Sequence, residues 1–321
     1  MTGAVTQVIE HGGAHLPRRL ALVEARLRDI AAAAGGPVAT WAGDTIVAGG
    51  KRLRPLLVLL AAGDPIESED AAVRAAAAVE LVHAATLVHD DVLDAAALRR
   101  GRPTVWATAG REAAVVTGDH LFARAFSELA GNDDAGQIRV LSRASSALAE
   151  GELAQRADAW SAEITTERYL HRCELKTAAL FEAACELGEM AAGRVARLGP
   201  FGRRIGLAFQ ILDDVLDVSG APEETGKQRG TDLLDGTVTL PLILARSEDP
   251  ELQALDLRGV TTAAAAERVC DAIAATGALA ASRGRALELV EAAKQELPGD
   301  LPAVQREAFE LVADSVVERY S

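Results

Sequence analysis

Hydrophobic residues recur along most of this chain at the spacing of a helix face. Within Leu16–Ala34, for example, Leu20, Val23 and Leu27 follow one another at intervals of three or four residues, which predicts an amphipathic helix. No alternation of apolar and polar residues is long enough to predict a strand. The pattern predicts helices at Leu16–Ala34, Val38–Ala48, Leu56–Ala62, Asp70–Ala96, 111–130, 137–158, 165–191, Pro200–Gly220, Leu240–Arg246, Thr262–Ala275, Gly277–Leu297 and Pro302–Tyr320.

Composition supports an all-α fold. Apolar residues make up 49% of the 321 residues, but aromatic residues only 3%. Such a chain favours close-packed helices, because strands prefer β-branched and aromatic side chains. No linker rich in Pro, Gly or Ser divides the chain. We therefore predict one helical domain over residues 1–321, with residues 1–16 flexible.

Charge and cysteine content narrow the classes of function. The formal net charge is −14, which argues against a nucleic-acid-binding protein, because phosphate neutralisation needs a basic surface. Three cysteines without a Cys-x-x-Cys pair give no zinc or disulfide signal and are typical of a reducing compartment. We find no secretory signal and no apolar run of about 18 residues. We therefore expect a cytoplasmic protein without a transmembrane segment.

One acidic string occurs twice and dominates the sequence. Asp-Asp-Val-Leu-Asp begins at Asp90 and again at Asp213, each time at the end of an apolar helical run. On a helix, Asp90 and Asp94 share a face about one turn (~5.4 Å) apart, as do Asp213 and Asp217. Like charges at this spacing repel each other. A single acidic cluster is often a solvated helix face, but two copies in similar apolar contexts predict bound magnesium, which prefers carboxylates together with substrate phosphates.

Basic residues are concentrated beside these helices. The turn Gly49-Gly50-Lys51-Arg52-Leu53-Arg54-Pro55 combines backbone N–H groups with cations at a predicted helix start, which is the outline of a phosphate site. A solvated basic turn is the alternative. Arg99-Arg100-Gly101-Arg102 follows the first acidic string. Its guanidinium groups either pair with the aspartates or bind phosphate.

The acidic and basic clusters together indicate diphosphate chemistry. Metal ions held between two facing acidic clusters would make a bound diphosphate a better leaving group. If the leaving carbon is allylic, the resulting delocalised cation needs a dry pocket, which apolar helices supply. A second diphosphate would need a separate basic site, for which the candidates are Lys51, Arg54, His83 and Arg100. A lone histidine such as His83 is otherwise usually a core residue.

The ordered set of motifs resembles the trans-prenyl diphosphate synthases of the polyprenyl synthetase family. The resemblance runs from about residue 16 to the C-terminus. The residues that carry it are Gly49-Gly50-Lys51-Arg52-Leu53-Arg54-Pro55, Glu80-Leu81-Val82-His83, His89-Asp90-Asp91-Val92-Leu93-Asp94, Arg99-Arg100-Gly101, Gly118-Asp119, Lys176-Thr177, Phe209-Gln210-Ile211-Leu212-Asp213-Asp214 and Gly226-Lys227.

The resemblance implies a fold, a reaction and a cofactor. The fold is a bundle of antiparallel helices around a central cavity, usually in a homodimer. The reaction is the 1′-4 head-to-tail condensation of isopentenyl diphosphate with an allylic diphosphate. The cofactor is Mg²⁺, about three ions per active site, for which Mn²⁺ substitutes. The released diphosphate is the proton acceptor, so no side-chain base is assigned.

The resemblance also implies roles for individual residues. Asp90, Asp94 and Asp213 are the principal magnesium ligands, supported by Asp91, Asp214 and Asp217. Isopentenyl diphosphate is held by Lys51, Arg54, His83 and Arg100. The allylic diphosphate is held by Arg99, Lys176 and Lys227, with Thr177 and Gln210 beside the allylic carbons, where their oxygen dipoles stabilise the cation. One departure is Thr237, in Gly236-Thr237-Val238-Thr239, where many relatives have lysine.

Two other functions compete with this one. A terpene cyclase ionises a diphosphate with the same first motif, but usually has an Asn/Ser/Glu-type second motif and needs no isopentenyl site. A non-catalytic partner subunit generally lacks one acidic motif, whereas both are present here. Both features favour the synthase.

Product length is predicted from the residues one turn before the first motif. Ala85 and Thr86 point below the metal site, where the growing tail must go. Short-chain enzymes of the family often have aromatic residues there or a two-residue insertion in the motif, and this chain has neither. We expect a product longer than farnesyl diphosphate, of medium or long chain. Phe122 and Phe126 are candidates for the tunnel floor, although core packing is the more ordinary role for them.

The first prediction concerns Ala85. Replacing Ala85 with Phe should shorten the product, because the ring would occupy the path of the growing tail. Chromatography of the products made from labelled isopentenyl diphosphate measures the effect. An unchanged product distribution would contradict the assignment of Ala85 to the tunnel.

Overall fold

The protein is helical nearly throughout. The computed structural model describes residues 3–48, 50–99, 101–220 and 229–318. The helices in chain order are α1 Gly3–His11, α2 His15–Ala32, α3 Gly36–Val47, α4 Leu53–Ala62, α5 Glu69–Leu93, α6 Val105–Ala109, α7 Arg111–Ala130, α8 Ala135–Asp158, α9 Thr166–Cys173, α10 Ala179–Ala191, α11 Gly199–Ser219, α12 Thr231–Leu234, α13 Leu240–Glu248, α14 Pro250–Ala254, α15 Ala263–Ala274, α16 Ala278–Gln295 and α17 Ala303–Glu318. A π-helical turn, Glu174–Ala178, joins α9 to α10, and a 3₁₀ turn, Leu257–Gly259, precedes α15.

The predicted helices are confirmed, with ends that differ by a few residues. The short helices α6, α12 and α14 lack the two or more turns that make a hydrophobic period visible. Residues 1–16, expected to be flexible, include α1, and Val8 of this helix is fully buried. A single apolar anchor of this kind gives too weak a pattern to recognise in sequence.

One two-stranded hairpin interrupts the helices of the described ranges. Strand β1, Leu98–Arg99, pairs antiparallel with β2, Arg102–Pro103, so that Arg99 lies opposite Arg102. Gly101 in the turn has a φ of 74°, a conformation that glycine adopts without steric cost. With two residues in each strand, the hairpin is too short to show the alternation by which strands are predicted.

The chain forms two compact units, each assembled from three stretches of sequence. Unit 1 comprises Met1–Ser146, Leu180–Gly202 and Glu296–Val312, and unit 2 comprises Ala147–Ala179, Arg203–Gln295 and Ala313–Ser321. The first acidic motif belongs to unit 1 and the second to unit 2. The prediction of one domain over residues 1–321 stays a prediction.

Helix α5 lies in the core of unit 1. It packs against α4 and α7, and most of its residues from Ala72 to Ala85 are buried. Among the described residues, α5 is the one helix with the length and composition to cross a membrane, and 72% of its most apolar window is buried inside the protein. Burial of this kind is typical of a core helix.

Helices α4 and α10 approach each other closely at a glycine in unit 1. A Cβ atom added to Gly188 in α10 would lie 2.2 Å from the carbonyl oxygen of Val58 and 2.7 Å from the Cβ of Ala61. Backbone cannot move aside as a flexible side chain can. Glycine at this position therefore sets the separation of the two helices.

The second prediction compares two glycines. Gly188→Ala should lower the free energy of unfolding by about 1–3 kcal/mol, since the added methyl overpacks a rigid contact. In α16, an added Cβ at Gly284 meets nothing within 4 Å. There, Gly284→Ala should stabilise the protein by about 0.5–1 kcal/mol through helix propensity. Urea unfolding followed by circular dichroism measures both, and equal effects would contradict the packing argument.

Candidate active site

The first acidic motif forms the last turn of α5. Asp90 is half-buried, Asp91 is buried and Asp94 is exposed. The backbone N–H of Asp94 donates to the carbonyl of Asp90 at 2.8 Å, and the next residue, Ala95, takes a left-handed conformation with a φ of 49° that ends the helix. The helix thus places Asp90 and Asp94 on its accessible side, as the spacing predicts, and turns Asp91 inward, which the sequence analysis did not predict.

Asp91 is neutralised by an arginine of the hairpin. The Nε atom of Arg99 donates to Oδ1 of Asp91 at 2.6 Å. Burial raises the pKa of the Asp91 carboxyl, and the Arg99 guanidinium opposes this shift. Arg99, predicted to hold the allylic diphosphate, is therefore fixed beside the motif by an ion pair that leaves part of its side chain exposed.

The second motif repeats this arrangement in α11. Asp213 and Asp217 are half-buried, whereas Asp214 is buried. The two carboxylate oxygens of Asp217 accept hydrogen bonds from the backbone N–H groups of Thr231 and Asp232, each at 3.2 Å. Asp217 thereby fastens the start of α12 to the motif.

Asp214 ends a chain of hydrogen bonds inside unit 2. The hydroxyl of Tyr169 donates to its Oδ2 at 2.6 Å, and Nε2 of Gln210 donates to its Oδ1 at 2.7 Å. The hydroxyl of Thr177 in turn donates to Oε1 of Gln210 at 2.6 Å. Burial raises the pKa of Asp214 to about 8, and the negative charge of Asp232 adds to the shift. A cation bound at this motif would favour the ionised form.

The π-helical turn brings Thr177 into this chain. Thr177 is eight positions after Tyr169, which would turn their side chains roughly 80° apart on a regular α-helix. A π turn takes up one extra residue, so Thr177 lies about seven α-helical positions after Tyr169, on nearly the same face. At the π turn, Gly151 of α8 approaches the backbone, since an added Cβ would lie 2.5 Å from the nitrogen of Lys176.

Lys176 faces a carboxylate in the same unit. Its ammonium group forms a short ion pair with Glu152 of α8, and Arg156 also donates to Glu152, at 2.8 Å. Although burial opposes it, the charges of Lys176 and Arg156 lower the pKa of the Glu152 carboxyl. Lys176 is thus a part-exposed cation whose position is set by an ion pair.

Arg52 organises the basic turn before α4. It takes a left-handed conformation with a φ of 51°, which is uncommon for a residue with a side chain. Its guanidinium pairs with Glu24 of α2 and Glu80 of α5, each at 2.5 Å, and donates to the carbonyl of Ile46 at 2.8 Å. Burial raises the pKa of Glu80, and Arg52 opposes this shift. Sequence reasoning gave Arg52 no role, because both partners are 28 residues away.

Arg52 and its two carboxylate partners, Glu24 and Glu80, form a cluster that we call the Arg52 clamp. Three of the residues predicted to bind isopentenyl diphosphate lie near members of this clamp in the sequence. Lys51 and Arg54 flank Arg52 in sequence and are half-buried. The charge of Arg54 acts on the Glu80 carboxyl, and its guanidinium lies 4.5 Å from the ring centre of Phe181. His83, also half-buried, follows Glu80 by one helical turn.

Two predicted ligands cannot be placed. Arg100, assigned to isopentenyl diphosphate, and Lys227, assigned to the allylic diphosphate, lie outside the described residues.

The residues predicted to control product length occupy different surroundings. Ala85 is fully buried, whereas Thr86 is half-buried and its hydroxyl donates to the carbonyl of His83 at 2.8 Å. Phe122 of α7 stacks on His89, with ring centres 5.9 Å apart, and Phe126 is half-buried. The His89 ring also packs on Gly118, where an added Cβ would clash with it at 2.2 Å.

The donor set suits magnesium. The accessible positions of both motifs carry carboxylates, the hard oxygen ligands that this ion prefers. Among the described residues, no three acidic, histidine or cysteine side chains form a metal cage. Magnesium does not need one, because it keeps waters and takes substrate phosphates as ligands.

A cavity of about 310 Å³ lies beside the first motif within unit 1. The Asp91–Arg99 pair forms part of its wall, together with Arg102 of the hairpin and Trp41 of α3. The hairpin therefore presents Arg99 and Arg102 to a partly open cavity whose wall also carries the carboxylates of Asp44 and Asp91.

Comparison with known proteins identifies the family. The family described as Polyprenyl synthetase matches residues 38–275. The chain is 44% identical, over 72% of its length and 73% of the relative's, to heptaprenyl diphosphate synthase component 2 of Geobacillus stearothermophilus. It is 38% identical, over 84% of its length and 86% of the relative's, to octaprenyl diphosphate synthase of Escherichia coli.

A solved structure agrees over the whole chain. The polyprenyl synthase of Caulobacter crescentus CB15, crystallised with calcium and isoprenyl diphosphate, shares 35% identity at a TM-score of 0.86 and covers 100% of this chain and 99% of its own. The protein belongs to the polyprenyl synthetase family, which confirms the resemblance seen in its motifs. The all-α fold is confirmed as well.

The third prediction tests the Arg52 clamp. Arg52→Met should lower the free energy of unfolding by about 3–5 kcal/mol, because it leaves the Glu80 carboxylate buried without its partner. The matched control is Arg18, which pairs with Glu69 but is 62% exposed, compared with 15% for Arg52. Arg18→Met should cost about 0–1 kcal/mol. Urea unfolding compares the two, and a cost for Arg52→Met as small as the control's would contradict the clamp.

Proposed function

We propose that this protein joins isopentenyl diphosphate head-to-tail to an allylic prenyl diphosphate and releases diphosphate. The C1–O bond of the allylic substrate breaks, and the diphosphate leaves with the electron pair. The double bond of isopentenyl diphosphate attacks the resulting cation through C4, which forms the new carbon–carbon bond. Loss of a proton from C2 to the released diphosphate restores a double bond. The product is longer by one isoprene unit and is itself an allylic diphosphate.

Unit 1 holds isopentenyl diphosphate in this proposal. Lys51, Arg54 and His83 are half-buried around a turn that Arg52 fixes, so their positive groups are set before the substrate arrives. Fixed charges lose little free energy to reorganisation when they meet a diphosphate. Arg100 and Lys227 remain assigned from sequence to the isopentenyl and allylic diphosphates.

The acidic motifs supply the metal ligands. Asp90, Asp94 and Asp213 bind magnesium directly, supported by Asp217, while Asp91 and Asp214 are occupied by partners in the protein. When bound, Mg²⁺ neutralises the charge that develops on the leaving diphosphate. About three ions per site, replaceable by Mn²⁺, are assigned from the family resemblance.

Two cations and two polar side chains are assigned to the allylic substrate. Arg99 in unit 1 and Lys176 in unit 2 are part-exposed cations for its diphosphate. Thr177 and Gln210, joined by a hydrogen bond, offer oxygen atoms to the allylic cation. Their apolar surroundings keep water, which would trap that cation, away from it.

One observation carries the proposal. In both motifs the first and fifth carboxylates are accessible. The second carboxylate is buried and accepts hydrogen bonds from residues elsewhere in the chain. A solvated acidic face would need no such inward anchor. The structural relative crystallised with a divalent cation and isoprenyl diphosphate supports the same combination of ligands here.

Product length and assembly complete the proposal. Relatives named for heptaprenyl and octaprenyl products support a product longer than farnesyl diphosphate, as the small Ala85 and Thr86 predict. We assign a cytoplasmic homodimer. One relative is named as a component of a synthase. Light scattering gives the mass of the purified chain in solution, and an assay of the same sample gives its activity. An active dimer indicates a self-sufficient homodimer, and an inactive chain indicates a subunit that needs a partner.

The test is a condensation assay with purified protein. Labelled isopentenyl diphosphate is supplied with geranyl, farnesyl or geranylgeranyl diphosphate and Mg²⁺. We expect polyprenyl diphosphates longer than farnesyl and complete loss of activity with a chelator. Hydrocarbon formed from farnesyl diphosphate alone would instead indicate a cyclase, and an inactive chain would indicate a partner subunit.

The fourth prediction concerns the accessible carboxylates. Asp90→Asn and Asp213→Asn should each reduce kcat at least about 100-fold, because each removes charge that positions the metal-bound leaving group. The control is Asp300→Asn, since Asp300 is an exposed aspartate paired with Arg197. It should retain full activity. Retained activity in either motif variant would contradict the metal assignment.

A further inference from the structure

We propose that Tyr169 is a positioning residue for the condensation, acting through Asp214 and Gln210 to direct the hydroxyl group of Thr177. In this arrangement the Thr177 hydroxyl hydrogen points to Gln210, and the oxygen lone pairs remain available to the allylic cation. The inference rests on the proposed function. Nothing in either acidic motif identifies Tyr169, which lies 45 residues before Asp214.

The direction of the hydrogen bonds follows from the chemistry of the groups. The amide nitrogen of Gln210 can only donate. It donates to Oδ1 of Asp214 at 2.7 Å, while the hydroxyl of Tyr169 donates to Oδ2 of the same carboxyl at 2.6 Å. With its nitrogen committed to Asp214, Gln210 turns its oxygen towards Thr177, and Thr177 must donate at 2.6 Å.

The direction of these hydrogen bonds affects the reaction strongly because the residues that form them are buried. Tyr169 has no exposed surface, and Asp214 and Thr177 are each less than one-tenth exposed. In such surroundings electrostatic interactions are stronger than in water, and linked hydrogen bonds polarise one another. A hydroxyl whose hydrogen faced a developing cation would oppose its formation, whereas an oxygen lone pair stabilises it.

Tyr169 is the link in this chain that can be tested separately from the metal site. Asp214 belongs to the second motif, so changing it also changes the proposed metal-binding segment. Tyr169→Phe removes one hydroxyl, leaves every motif carboxylate in place and keeps the ring, which lies 5.5 Å from the guanidinium of Arg172.

The experiment is a double-mutant cycle on kcat and KM. Tyr169→Phe should lower kcat about tenfold, the effect of one lost hydrogen bond of about 1.4 kcal/mol, with both KM values changed less than twofold. Thr177→Val should lower kcat further. Adding Tyr169→Phe to Thr177→Val should have almost no additional effect, because the residue through which Tyr169 acts is gone.

Two further variants separate positioning from stability. Thr177→Ser keeps a hydroxyl and should keep the tenfold response to Tyr169→Phe. Ser282→Ala removes another buried hydroxyl of unit 2, one without a hydrogen-bond partner, and should leave kcat unchanged. The dissociation constant of a non-ionising allylic thiolodiphosphate, measured by calorimetry, should be the same for Tyr169→Phe and the parent protein.

Each outcome decides the inference. Additive losses of kcat in the cycle, or a loss that appears in KM and in analogue binding, would overturn it. If Tyr169→Phe does not fold by circular dichroism, Tyr169→Met takes its place in the cycle, since it also removes the hydroxyl and leaves Asp214 and Gln210 in place, and additivity again counts against the inference. A parent chain that forms no polyprenyl product would refute the proposed function itself, which separates the two failures.

Discussion

Mutual repulsion among carboxylates is the constraint around which this protein is built. Each acidic motif places three aspartates within five residues of an apolar helix. The protein relieves part of the repulsion by turning the second aspartate inward. Asp91 is paired with Arg99, and Asp214 accepts from Tyr169 and Gln210. The first and fifth carboxylates then share one accessible face, where the divalent cations of the proposed function would complete the neutralisation.

The basic turn follows the same principle with the opposite charge. Of its three cations, Arg52 is committed to Glu24 and Glu80. That commitment fixes the backbone at the start of α4 and leaves Lys51 and Arg54 half-buried on either side. In both the acidic and the basic cluster, one charged residue is held by partners within the protein, and its neighbours are the residues to which we assign ligands.

Sequence predicted the features that depend on local spacing. The helices and the placement of Asp90 and Asp94 on one face follow from 3.6 residues per turn. Features that depend on distant partners were not predictable. Neither Tyr169 nor Glu24 is close in sequence to the residue it contacts, and Gly151 of α8, which approaches the π turn, is likewise distant in sequence from that turn. The motifs identified the candidate ligand residues, but not the hydrogen-bond and ion-pair partners that fix the positions of those residues.

Helix geometry also separates the two small residues before the first motif. Ala85 is one turn before His89, whose ring packs on Gly118 and Phe122 of α7, and Ala85 itself has no exposed surface. Thr86 is one turn before Asp90 and is half-buried, so it shares the face of a proposed metal ligand. Under the proposed function, a tail that grows from a diphosphate at Asp90 would run along the Thr86 side of α5, with Ala85 at the adjacent position of the same helical turn.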